Sequence, residues 1–252
     1  MPLSSVHHLI ASLIGLVFSF AVLPSAHAQT NTTTTGKATP QTPPPLVEPA
    51  AIQKDGDTVK LPGLVIHATQ QPYIEATGKV VLDEGILEFI AVEKEGRTYE
   101  SLLALDCKPS ALQFALLLIG CEPSPEPRTV QPGGKIGDRL AIDIEWLVDG
   151  KPKRVPVEEL LVDRKTTKPP TDLAWYFTGS FFTTTFANEN KFYADIDQSL
   201  IATVWMTGVL INLGNNFGNP YQGEAEGFEV NAKRVPPKDT PIKLIFRKHP
   251  GK

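Results

Sequence analysis

Histidine and cysteine are what this chain has least of, and their scarcity excludes most enzyme chemistry. Three of its five histidines (His7, His8 and His27) fall in an N-terminal apolar segment, which leaves His67 and His249. A Ser-His-Asp or Cys-His site needs an imidazole to take and return a proton. His67 lies in an apolar run and His249 lies close to the C-terminus, so both read as strand or tail positions, and no catalytic residue is assigned. Only two cysteines are present, whereas an iron–sulfur cluster normally takes four thiolates. The His, Cys and acidic residues show no zinc spacing, and neither GxGxxG nor GxxxxGKS/T occurs. No metal and no cofactor are therefore expected. Charge of one sign is missing too: 24 Lys and Arg against 28 Asp and Glu give a net −4. The basic residues form no stripe interleaved with aromatics, so nucleic acid is not an expected partner.

What the chain does have begins at its N-terminus. Leu9 to Leu23 is almost unbroken Leu, Ile, Val, Phe and Ala, and it closes on Ala26-His27-Ala28. That pattern predicts a signal peptide over residues 1–28, since the run is short for a membrane span. No cysteine follows it, which argues against a lipid anchor. The expected product is exported, periplasmic or extracellular, and free of the membrane after cleavage. Residues 29–50 are rich in Thr, Pro, Gln and Asn and bury almost no apolar surface, so they read as a disordered tether. Residues 51–252 are then one domain.

Two hairpins and a helix organise that domain. Leu87 to Val92 and Thr98 to Leu103 flank Glu95-Gly96, which predicts an antiparallel hairpin over Gly85 to Leu105 with Val92 opposite Tyr99. Pro109 suits a first helical turn, Ser110 with Gln113 reads as a capping box, and Gly120 supplies a stop. The helix between them is apolar nearly all round, hence buried. Asp149-Gly150 turns a second hairpin over Arg139 to Val157. Its register sets Ile144 against Val155 and Glu145 against Arg154, with Leu140, Ile142, Ile144, Trp146 and Val148 on one face. Pro152 and Pro156 place the return strand at a sheet edge. Trp175 to Phe186, Phe192 to Met206, Phe228 to Val235 and Ile242 to Arg247 read as further strands. The expected fold class is α+β: mainly antiparallel sheet with one buried apolar helix packed on it.

Several of these residues carry a family resemblance. They are Leu87-Glu88, Tyr99-Glu100-Ser101, Lys108-Pro109-Ser110 with the leucine-rich helix to Gly120, Trp146 with Asp149-Gly150-Lys151, Trp175-x-Phe177-x-Gly179-Ser180, and Tyr193-Ala194-Asp195. In this order and spacing, over about Gly85 to Lys248, the chain resembles bacterial exported proteins carrying the YdjY domain. The resemblance implies an envelope protein and carries over no activity. Some members of that family are labelled ferredoxin-like, which two cysteines do not fit.

Candidate ligand contacts are Glu100, Asp195 and Asp197. Glu100 falls on an apolar surface in the expected hairpin, where a carboxylate either meets a ligand or accepts a structural hydrogen bond. Glu88 is expected on the opposite face, so the hairpin offers no carboxylate dyad. Asp195 and Asp197 with Ser199 imitate the start of a calcium loop but lack its glycine and closing glutamate, and Asn212 to Glu226 offers further oxygen ligands. Trp175, Tyr176, Phe177, Phe181 and Phe182 read as core in preference to a sugar platform. Cys107 and Cys121 flank a helix that spans roughly 15 to 16 Å, against the roughly 7 Å a disulfide tolerates, so both are expected free. The leading expectation is a non-enzymatic module binding or scaffolding an unknown envelope component. An envelope hydrolase using Glu100 and Asp195 is the alternative, and a thiol redox protein a weaker one.

Overall fold

Runs of branched and aromatic residues, broken every few positions by Gly, Pro, Asn or Asp, favour strands over helices. A computed structural model describes residues 44–214 and 218–251; the expected signal peptide and the tether up to residue 43 lie outside the described residues. From Leu46 onward the chain forms one compact unit.

Its N-terminal part holds β1 (Gln53–Asp55), β2 (Thr58–Leu61), β3 (Leu64–His67), β4 (Tyr73–Val80), β5 (Ile86–Leu87), β6 (Phe89–Glu93) and β7 (Ser101–Leu105). Helix α1 (Pro109–Leu118) follows, then β8 (Arg139–Val148), β9 (Lys151–Pro156), β10 (Leu161–Asp163) and β11 (Trp175–Phe177). The C-terminal part holds β12 (Phe182–Thr184), β13 (Asn190–Phe192), α2 (Tyr193–Asp197), β14 (Ser199–Ala202), β15 (Ile211–Leu213), β16 (Phe228–Val230) and β17 (Pro241–Lys248).

Eight strands close on themselves in the order β4-β17-β8-β11-β15-β14-β6-β7, with β7 returning to β4. The long strand β4 makes closure possible. On one edge it pairs β3 through Tyr73 to Ala76 and then β7 through Gly78 to Val80, while β17 runs along the other edge. The handover from β3 to β7 needs Gly78, because a Cβ there would lie 2.3 Å from the Ala104 carbonyl oxygen. Strand β8 divides in the same way between β11 and β9. Ile74, Ala76, Ile144, Trp175, Phe177, Ile211, Leu244 and Phe246 are wholly buried members of the core. A three-stranded sheet, β10-β16-β5, and the β12-β13 hairpin complete the strands.

The α+β expectation is therefore overturned. Among the described residues two short helices accompany a closed eight-stranded barrel, and the barrel is mixed, because β6–β7 and β14–β15 are parallel pairs. The expected hairpin over Gly85 to Leu105 fails for the same reason. After β6 the chain turns once, where Gly96 N–H donates to the Glu93 carbonyl, and again in a 3₁₀ turn over Thr98–Glu100. Two reversals leave β7 running with β6, so Phe89 pairs with Ser101 and Ala91 with Leu103. The stretch from Phe192 to Met206 is likewise not one strand, since Tyr193–Asp197 is helical.

The second hairpin has the expected register: Ile144 pairs with Val155 and Glu145 with Arg154. Leu140, Ile142, Ile144 and Trp146 are buried, Val148 is exposed, and β9 pairs only with β8 among the described strands. Helix α1 begins with Pro109 and ends in a Schellman motif. There Cys121 N–H donates to Leu116 O and Gly120 N–H to Leu117 O, each at 3.0 Å, with Gly120 at φ +82°. The capping box does not form, because Gln113 Oε1 accepts from Ser180 N instead, at 2.8 Å.

Candidate functional site

A serine or aspartate near a helix start normally caps its own helix. Here the cap comes from elsewhere: Asp195, in α2, accepts the Ser110 N–H through Oδ1 at 2.7 Å. Asp195 thus holds the N-terminus of α1. Glu93 lies close by, its carboxyl pushed up by burial and then by the Asp195 charge, with Lys108 opposing.

Asp197, two residues on, belongs to a different group. The 3₁₀ turn brings Arg97 and Glu100 to one side of the chain, three residues apart. Arg97 Nη2 donates to Asp197 Oδ2 at 3.0 Å and to Ser199 Oγ at 3.1 Å. Its Nη1 lies 3.5 Å from Glu88 Oε2 and 3.6 Å from Glu100 Oε1. The guanidinium also sits over the Phe89 ring, 4.3 Å from its centroid. Glu88, at the junction of β5 and β6, accepts from Asn219 Nδ2 through Oε1 at 2.6 Å. Glu88 and Glu100 are 7% and 6% exposed, so one guanidinium faces two buried carboxyl groups as well as Asp197. Burial raises the Glu100 carboxyl above its ordinary range, and the Glu88 charge and a hydrogen bond with Glu88 raise it further, while Arg97 lowers it. Both glutamates thus crowd one nitrogen of the same guanidinium.

The arm that supplies Asn219 is itself ordered by local bonds. Asn219 Oδ1 caps the short turn Pro220–Gln222 by accepting from Tyr221 N at 2.9 Å, and Glu224 accepts the Asn219 N–H. Tyr221 Oη donates to the Ile86 carbonyl at 3.0 Å. Burial raises this phenol, and the Glu100 and Glu88 charges add to it, which places the ring beside the cluster. Tyr221 is 47% exposed and Tyr99, on the 3₁₀ turn, 69% exposed. Two accessible tyrosines thus rim a buried ionic group.

The sequence points to Glu100 and Asp197 as candidates and places Glu88 on the opposite face from Glu100, whereas the structure brings all three together around Arg97. Asp195 does not join them. Arg97 was missed, its signal being the three-residue spacing from Glu100 within a turn, and Asn219 was considered only as an oxygen ligand for an ion, whereas it donates to Glu88. Several described residues of the Asn212 to Glu226 stretch are engaged in structural bonds. Asn212 accepts from Met206 N and donates to Thr178 Oγ1, both at 2.8 Å, and Glu226 pairs with Lys165. Asn215 and Asn216 lie outside the described residues. Among the described residues no group of three or more His, Cys, Asp or Glu is placed to hold a metal ion.

Of the aromatic run, Trp175 and Phe177 are wholly buried, with Trp175 Nε1 donating to Glu158 Oε1 at 2.7 Å. Phe181 stacks on Tyr193 at 5.1 Å and carries Arg128 on its face at 4.0 Å. His67 stacks on Tyr73 at 4.2 Å, and the His249 N–H donates to the Arg139 carbonyl. Cys107 and Cys121 are buried free thiols, Cys107 pushed up by burial beyond the range of useful thiolate chemistry and Cys121 to about 12 by the same cause.

No curated protein and no solved structure matches the chain. The YdjY domain family matches residues 52–247, which include the barrel strands except Lys248 at the end of β17, and every residue of the Glu88–Arg97–Glu100 cluster. The chain belongs to the YdjY domain family.

Proposed function

We propose that this protein is an exported, non-enzymatic module that binds a component of the cell envelope, and that its contact surface is the Tyr99–Tyr221 rim over the Glu88–Arg97–Glu100 cluster. The observation that carries this reading is the pairing of two exposed tyrosines with a polar group whose charges are already engaged with one another. Such a group fixes a surface instead of attacking a substrate. Exposed tyrosines supply flat apolar area with a hydrogen-bonding tip, which suits stacking against sugar rings. Export rests on the N-terminal pattern from Leu9 to Ala28.

The hydrolase reading has less support. Glycosidase carboxyl groups stand about 5 to 9.5 Å apart to leave room for substrate or water, whereas Glu88 and Glu100 are both buried and crowd one nitrogen of Arg97, at 3.5 and 3.6 Å. Asp195, the other acid in that reading, is engaged with the α1 N-terminus. The redox reading has least, because both thiols are buried and held protonated at neutral pH.

The test is co-sedimentation of the purified protein with insoluble envelope polysaccharide. The parent is expected to pellet saturably, and Tyr99→Ala with Tyr221→Ala to weaken retention about tenfold or more, the loss of about 1.4 kcal/mol or more of stacking. Undiminished retention by the double variant, or release of soluble sugars by the parent, would count against the proposal.

A further inference from the structure

The β8–β9 hairpin reaches further than the barrel wall that carries it. Strand β17 accompanies β8 only from Leu140 to Glu145, whereas the pairing with β9 continues to Val148 and Lys151. Residues 146–153 therefore form a two-stranded arm, closed by Asp149 and Gly150 at φ 51° and 73°. Its base is fixed, because Trp146 is buried and Lys153 Nζ lies 4.9 Å from the centre of the Trp146 ring. Its end is bare: Leu147 is 67% exposed and Val148 43%. Successive strand residues point to opposite faces, so both faces of the tip are apolar. Pro152 stands opposite Leu147, and Lys151 opposite Val148. On a chain of net charge −4, this arm is basic. Arg154 is engaged with Glu145 at 2.8 Å, but Lys151 and Lys153 meet no carboxylate among the described residues, and Asp149 is the one acid of the arm.

Three kinds of occupant differ in what they need. A strand added by another chain needs N–H groups along the free edge of β9, and Pro152 and Pro156 have none to give. A second copy, or any protein held by a flat interface, covers one face of the tip, and two side chains fall well short of the roughly 1,000 Å² that a specific interface buries. A lipid surface has neither requirement. It is fluid, takes up both faces at once, and offers phosphates to the two unpaired lysines. We propose that the arm is a membrane-contact element, with Leu147 and Val148 entering the headgroup layer of an anionic bilayer and Lys151 and Lys153 meeting its phosphates. Lys151 lies across from Val148, so its stem runs along the apolar side chain while its ammonium reaches outward. Asp149 remains hydrated among the headgroups, which keeps entry shallow and attachment reversible. The arm shares no residue with the Tyr99–Tyr221 rim, and the proposal holds whether or not that rim binds polysaccharide.

The experiment is co-sedimentation of the chain from Gln29 onward, which contains every described residue, with vesicles of phosphatidylcholine alone or mixed equally with phosphatidylglycerol. At low salt the parent is expected to pellet with the mixed vesicles about tenfold or more above its retention on phosphatidylcholine alone. It should be released at about 1 M salt, where charge attraction is screened within about 3 Å. Leu147→Ser with Val148→Thr, and separately Lys151→Gln with Lys153→Gln, are each expected to lower retention about tenfold or more. Circular dichroism shows that each variant is folded; should one pair unfold the chain, the other carries the test. No retention on mixed vesicles, equal retention on both vesicle types, or folded arm variants that bind as the parent does overturns the proposal. Tyr99→Ala with Tyr221→Ala is expected to bind vesicles as the parent does, whatever it does with polysaccharide. Loss of vesicle binding in that variant would place the lipid contact on the rim and overturn the arm's role.

Discussion

At the scale of single residues, Arg97 is the side chain on which the site depends. Removing it leaves Glu88, Glu100 and Asp197 facing one another without a cation. Breaking a buried ion pair from one side costs a few kcal/mol, and Arg97 is itself about a third exposed, so Arg97→Ala is expected to cost about 3 kcal/mol. Denaturant unfolding at neutral pH checks this, and an unchanged midpoint would mean that water solvates the acids. The burial of Glu100 was legible in the sequence from its apolar neighbours. Its partners were not, because Glu88 was assigned to the opposite face from an antiparallel register that the chain does not adopt. Asn219, more than a hundred positions away, was read only as an oxygen ligand for an ion, and nothing local ties it to Glu88.

Single elements were legible where a short turn fixes the register. Asp149-Gly150 joins strands whose alternation agrees with it, and β8 and β9 pair accordingly. The same logic misread β6 and β7, since alternation of apolar residues does not distinguish a parallel neighbour from an antiparallel one, and a second turn at Thr98–Glu100 hides inside the return strand. For α1, the proline start and glycine stop could be read, but the cap could not, because it is delivered by Asp195 from α2. Replacing Asp195 with Ala should cost about 1 kcal/mol, the usual loss for a helix cap. Thermal melting would show a fall of a few degrees. A loss several times larger would mean that Asp195 also neutralises Lys108, and an undetectable one that solvent caps the helix equally well.

For the whole molecule, what escaped the sequence is closure. Pairing of β4 with β7 and of β14 with β15 joins strands that no single short turn links, so an open antiparallel sheet and a closed mixed barrel have the same local pattern. Closure depends on Gly78, whose missing side chain admits the Ala104 carbonyl. Gly78→Val should cost about 3 kcal/mol, the upper end of what overpacking does, and disorder the β4–β7 seam. Retention of parental stability would show that the seam has slack. The central claim, that burial beside Glu88 raises the Glu100 carboxyl inside this barrel, is tested most directly by the unfolding free energy of the parent and of Glu100→Gln measured across pH. A carboxyl raised in the folded state adds stability that is fully present below its unfolded value and is lost as pH rises through the folded one. Glu93 and Glu158, also raised by burial, contribute equally to both proteins and cancel in the difference. The account predicts that the parent loses stability relative to Glu100→Gln as pH climbs from the acid side, with the gap levelling once Glu100 is ionised. Two curves that stay parallel from acid to neutral pH would contradict it.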